Sequence, residues 1–462
     1  MPLDQTPRDE QLTSSEPELP ERRPSPALTL ATALLGFALI TLDASVVNVA
    51  LPAMGSSFGG GMSALQWVVD AYTLTFAALM LSTGAFSDRA GASRAYATGI
   101  AVFTLASVVC GLAPNLPALI GARVVQGAAA AAVLPASLSL VRQAYTEPAH
   151  RARAVAVWAA GGSVAVALGP VAGGALTTLW DWRSIFFVNL PLGAVALLLL
   201  LRAPRSQRRP APLDLPGQVT AVVTLAALTF AVIEGGPTGL VSFAIAVLAG
   251  VCFLRIEARQ AHPVVPLGLF RSRTVSMAVA VGAANSVAFY GVVFMFSLFF
   301  QQVQGRSALH AGLMFLPMTG LIGVTNVLSG KLAGRYGTWL PILAGHGLAV
   351  AGLLGLLTVG TGTSASPVAL LLVPLALGCA LMVPPLTAAM LEAVPAERAG
   401  LAAGVLNAAR QVAGGLAVAV FGVLLADGFE TGLRLSLAIS AGLLVLTGAL
   451  SFRRAGRPAS RA

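Results

Sequence analysis

Charge is what this sequence has least of. Asp, Glu, Lys and Arg make up only 10% of its 462 residues, against about 25% in a soluble domain. So little polar surface cannot keep the body in water, which excludes an ordinary soluble enzyme and a disordered chain. Cysteine is nearly absent. Cys110, Cys252 and Cys379 stand far apart inside apolar runs, with no CxxC pair and no Cys/His metal spacing. They read as small buried hydrophobes, and a disulfide scaffold and a metal centre are excluded. There is no glycine-rich phosphate loop, catalytic triad or haem motif. The chain is therefore not expected to be an enzyme, to hold a cofactor, or to drive transport with ATP on its own. Lysine occurs once, as Lys331, in a chain rich in Arg, Ala and Gly; that bias points to a GC-rich bacterial genome.

Apolar residues are abundant: 56% of the chain is hydrophobic and the mean hydropathy is +0.84. A membrane-crossing helix needs roughly 20 mostly apolar residues. Breaking the sequence at charges, Pro/Gly turns and polar clusters gives fourteen such runs: 28–52, 63–84, 95–113, 117–141, 153–178, 183–201, 215–233, 238–255, 275–299, 311–331, 338–358, 367–391, 399–426 and 432–452. Residues 1–27 are charged and proline-rich and read as a disordered cytoplasmic tail. The run that follows is too long for a signal peptide and reads as the first span. Residues 453–462 form a second tail. An all-α membrane protein with fourteen transmembrane helices is expected.

Arginine placement sets the orientation. With the N-terminus inside, 23 of the 28 basic residues fall on cytoplasmic segments. Arg123, Arg183, Arg306, Arg410 and Arg434 are the remainder. The net charge of +10 thus serves orientation in a bacterial cytoplasmic (inner) membrane and not nucleic-acid binding. An even span count puts both termini in the cytoplasm.

Two loops match at one spacing: Gly84-x3-Asp88-Arg89-x-Gly91 after span two, and Gly330-x3-Gly334-Arg335-x-Gly337 after span ten. The glycines permit a tight helix–loop–helix turn. Equal spacing and equal side predict a duplicated bundle, 28–201 and 275–452, with 202–274 a linker carrying two inserted spans. Parallel six-span repeats are a transporter architecture.

Six motifs on these spans resemble the major facilitator superfamily, in particular its fourteen-span drug:proton antiporter branch, which includes EmrB and QacA. They are Leu42-Asp43-x-x-Val46-Val47-Asn48-Val49-Ala50-Leu51-Pro52, the loop Gly84…Asp88-Arg89…Gly91…Arg94, Arg123-x-x-Gln126-Gly127, Gly169-Pro170-Val171-Ala172-Gly173-Gly174, Trp182-Arg183…Phe186-Phe187-Val188-Asn189-Leu190-Pro191-x-Gly193, and Asn407…Arg410-Gln411…Gly414-Gly415. The resemblance covers about residues 28–452. It implies a major facilitator fold of two six-helix bundles plus two inserted helices. It also implies that the antiporter segment, with Gly169, Pro170, Gly173 and Gly174, lies against its counterpart in the other half and closes the inner end. Unlike some members of that branch, this chain has no acidic residue in 399–426.

Ionisable groups inside apolar runs are functional candidates by default. Asp43 lies about 15 residues into its span, or ~22 Å at ~1.5 Å per residue. Asp70 and Arg123 enter from the opposite face by about 7 and 6 residues, so all three fall at similar depth. They are the expected proton-coupling site, the other reading being a static ion pair that locks helices. Arg410 is placed near the midplane, either to meet an anionic or acceptor-rich substrate group or to be held by helix carbonyls or carboxylates. His346 reads as a packing residue. Asp88 and Arg89, with Gly84, Gly91 and Arg94, are expected to gate from the cytoplasmic loop.

A central cavity is expected to draw on Asn48, Trp67, Tyr72, Phe76, Gln126, Asn285, Phe289, Tyr290, Phe294, Asn407 and Arg410, with about half touching substrate. The expected function is proton-coupled efflux of amphiphilic drugs or antibiotics by a monomer, its partners being the substrate, protons and the lipid bilayer. Export of one self-made metabolite is the alternative. A non-transporting membrane sensor fits less well, because no long soluble signalling domain is present.

Overall fold

The computed structural model describes residues 25–59, 61–202, 214–260, 263, 265–395 and 399–455. Most of both expected tails, and of the linker before the inserted spans, lies outside them. Every described element is helical. The first set is α1 (Pro26–Phe58), α2 (Met62–Ala90), α3 (Ala92–Gly111), α4 (Leu116–Ala144), α5 (Pro148–Leu179), α6 (Ser184–Phe187) and α7 (Asn189–Leu200). Next come α8 (Leu215–Glu234) and α9 (Gly236–Arg259). The last set is α10 (Arg273–Leu298), α11 (Ala308–Met314), α12 (Leu316–Thr319), α13 (Ile322–Tyr336), α14 (Trp339–Leu356), α15 (Ala365–Glu392), α16 (Ala399–Ala426) and α17 (Phe429–Ala455).

Twelve helical stretches among the described residues are long and apolar enough to cross a membrane. Beside them stand α2, packed between α4 and α16, and the shorter apolar stretch Ser184–Leu200. Two expected spans are broken. The run 183–201 divides into α6 and α7. The run 311–331 divides into α11, α12 and α13 around Pro317 and Gly320, where one backbone donor is missing and the chain is least restrained. Pro374, Pro384 and Pro385 all lie inside α15, a helix that continues through them because its neighbours hold it.

Packing repeats. α1 lies on α5 as α10 lies on α16, α2 on α4 as α13 on α15, α3 on α4 as α14 on α15, and α1 on α7 as α10 on α17. The matched loops share a backbone conformation as well. Gly91 has φ 88° and Gly337 has φ 82°, a region where a Cβ would be strained. The two bundles meet along two seams, α2 with α16 and α5 with α11.

Lipid tails are as apolar as leucine, so close packing and hydrogen bonds must hold such seams. Four hydrogen bonds join the bundles among the described residues, all at the end where α1 terminates. Gln66 Nε2 donates to Ala419 O at 3.1 Å, Ser297 Oγ to Asn48 O at 2.9 Å, Gln301 Nε2 to Val49 O at 3.0 Å, and the Leu309 N–H to Thr178 Oγ1 at 3.0 Å. At the same end a Cβ on Gly174 would strike Ala308 O, and one on Gly312 would strike Pro170 O. This end is sealed. The antiporter segment therefore closes the end opposite the Gly84–Arg94 loop, against α11, and not the loop's own end against an equivalent helix as the resemblance implies. The reason is positional: Gly169–Gly174 falls in the last third of α5, which starts on the loop side.

Candidate functional site

Asp43, on α1, is wholly buried and so is Arg123, on α4. Arg123 Nη1 donates to Asp43 Oδ2 at 2.5 Å and to Gln126 Oε1 at 2.8 Å, and its Nε donates to Val68 O at 3.2 Å. The other carboxylate oxygen, Asp43 Oδ1, accepts from Gln126 Nε2 at 2.9 Å and Asn189 Nδ2 at 2.8 Å. Ser107 Oγ of α3 accepts from Asn189 at 2.9 Å and donates to Phe186 O at 2.9 Å. The guanidinium lies 4.2 Å from the centre of the Tyr72 ring, whose hydroxyl donates to Ile40 O at 3.0 Å. A charge pair out of water is tolerable only when its remaining donors and acceptors are met, and here Val68 of α2, Gln126 of α4 and Asn189 of α7 supply partners. Asn189 stands in the span-six motif with no role assigned to it there, and nothing in the sequence marks Ser107.

Asp70 does not join this network. It faces the α2–α16 seam, buried, with no hydrogen-bond partner for either carboxyl oxygen among the described residues. A Cβ placed on Gly415 would lie 3.5 Å from Asp70 Oδ1, so a small residue on α16 makes room for the carboxyl group. The expected trio is therefore a pair plus one solitary acid. Depth placed the three together; rotation about the helix axes separates them.

A cavity lies between the bundles, lined by Asn48, Tyr72, Phe76, Phe289 and Tyr290 together with Thr41, Ser45, Thr73, Thr319 and Gln411. A second cavity is lined by Asn285, Ser286, Asn326 and Arg410 and shares Phe289, Tyr290 and Val166 with the first. The remaining expected lining residues are elsewhere. Trp67 packs against Phe230 of α8, with ring centres 6.2 Å apart. Gln126 is consumed by the Asp43 network. Phe294 is fully buried in the core, and Asn407 lines neither cavity. Phe294 stands four residues past Tyr290, one turn further along the same face of α10, where the core encloses it.

His346 is a packing residue as expected, its ring nitrogens 2.8 Å from Ile342 O and 3.1 Å from Thr447 Oγ1. Arg89 and Arg94 are exposed at the turn made by Gly91. Gly84 lies within α2, and the side chain of Asp88 is outside the described residues.

Two halves packed alike, with a cavity between them and charges buried in the helices, are a transporter's parts. The sequence pattern of the Major Facilitator Superfamily matches residues 33–418. The chain belongs to the Major Facilitator Superfamily. This facilitator is 40% identical over 410 residues to the multidrug resistance protein Stp of Mycobacterium tuberculosis, covering 86% of this chain and 76% of Stp. It is 37% identical over 451 residues to a methylenomycin A resistance protein of Streptomyces coelicolor, covering 95% of each. Among solved structures, a peptide transporter POT in complex with sulfate superposes with TM-score 0.69 at 16% identity, covering 92% of this chain and 94% of that one; this likeness concerns the fold. The facilitator is a multi-pass membrane transporter and not an enzyme.

Proposed function

We propose that this facilitator exports amphiphilic drugs or antibiotics from a bacterial cell in exchange for protons. The observation that carries the reading is the aromatic and hydroxyl-lined cavity between the bundles, beside a solitary buried acid. An amphiphile needs apolar walls and a few polar groups that tolerate several orientations. The resistance names of the two relatives support outward movement of such compounds.

Proton exchange is assigned to Asp70. Among the described residues it has neither counter-charge nor hydrogen-bond donor, and it lies on a seam between the bundles, where rocking would change its access to water. Asp43 and Arg123 tune the first bundle from behind. α2 and the Ser184–Leu200 stretch complete fourteen spans of the drug:proton antiporter branch, in the cytoplasmic membrane with both termini inside. Residues 28–201 and 275–452 are the moving bodies, and 202–274 travels with them. The sealed end then faces outward. The protein works as a monomer.

Proteoliposomes holding a pH-sensitive dye test this directly. Adding substrate should drive proton movement with the wild-type chain and none with Asp70→Asn. Full gradient-driven transport by Asp70→Asn would place the coupling elsewhere.

A further inference from the structure

The second cavity collects unpartnered polar groups. Asn285 Oδ1, Ser286 Oγ, Asn326 Oδ1 and Arg410 Nε are buried atoms without a hydrogen-bond partner among the described residues. Asn285 and Ser286 are 3% and 1% exposed. They come from three helices, α10, α13 and α16, and line one space. Native proteins leave few such groups unmet, so four around one void mark a place for a ligand. Arg410 makes no hydrogen bond or ion pair among the described residues, and no acidic residue lines the cavity. Its charge is therefore held neither by helix carbonyls nor by a carboxylate.

We propose that this second cavity is an anion subsite that takes the carboxylate of an amphiphilic substrate, whose apolar body lies in the first cavity. A guanidinium offers a planar fork of N–H donors that matches a carboxylate. Ser286 can donate its hydroxyl, and either end of each Asn amide can turn toward the ligand. The geometry supplies the connection. Phe289 and Tyr290 form the shared wall, and Arg410 and Gln411, adjacent on α16, line the second and the first cavity respectively. A cationic substrate group here would meet Arg410 with no acid to offset it.

The choice of occupant rests on the export reading, and the test keeps the two apart. Full-length protein in nanodiscs of zwitterionic lipid is titrated with a fluorescent alkyl carboxylate and with its primary amide. The carboxylate should bind about tenfold or more tighter than the amide, as expected for hydrogen bonds to a charged group. Arg410→Gln should bring the two to near equality by weakening only the carboxylate, and Arg410→Lys should keep part of the preference. Should Arg410→Gln fail to fold, Asn285→Ala with Asn326→Ala carries the same test, and must also reduce the preference. No preference in the wild type, or one that survives these changes, overturns the subsite. The same probes are then followed in proteoliposomes. Selective binding with transport of neither probe would sink export and leave the subsite standing. Transport of the amide without carboxylate preference would do the reverse.

Discussion

Asp43 and Arg123 form the single ion pair buried inside the helices among the described residues, Oδ2 to Nη1 at 2.5 Å. Removing one partner should strand the other. Arg123→Gln is expected to cost about 3–5 kcal/mol. The double change Asp43→Asn with Arg123→Gln should cost less than the two single changes together. Thermal unfolding in detergent measures the cycle, and additive losses would mean the pair is not coupled.

Asp70 predicts the opposite pattern. It has no partner to strand, so Asp70→Asn should leave the unfolding temperature within the range of a neutral substitution while ending substrate-driven proton movement. A large loss of stability would assign Asp70 a packing role instead.

The sealed end offers a steric test. A side chain at Gly312 would meet the Pro170 carbonyl. Gly312→Val should hold that end apart, raise maleimide labelling of a Thr178→Cys reporter, and slow transport. Unchanged labelling would show that the seam yields without opening.

The matched turns predict matched costs. Gly91→Ala and Gly337→Ala each force a Cβ into positive φ and should each lose ~1–2 kcal/mol. Calorimetry or dye-based unfolding of the two variants checks whether the copies are equivalent. At the first copy, Asp88→Asn should reduce transport rate and shift cytoplasmic cysteine accessibility, with modest change in substrate affinity.

Much of this molecule is legible in its sequence because a bilayer imposes length and polarity rules on every helix. The apolar run 399–426 ends where α16 ends, at Ala426. Asp43, Asp70 and Arg123 stand out because charges in hydrocarbon are rare. What stays hidden is helix rotation and partner choice. Depth alone cannot tell that Arg123 turns to α1 and Asp70 to α16. Trp67 likewise reads as a cavity residue until α8 is seen to cover it. Breaks such as that between α6 and α7 also escape, since hydropathy runs smoothly through them.

The inserted helix α8 has one more consequence. It is fastened to α2 at three heights. Ser63 Oγ donates to Glu234 Oε1 at 3.1 Å, Trp67 stacks near Phe230, and Gln218 Nε2 donates to Ala78 O at 2.6 Å. It also lies on α16. In the proposed exchange cycle α8 rides with α2 and slides across α16 like a shutter over the seam, and acyl chains and membrane-dissolved amphiphiles are turned away from that flank.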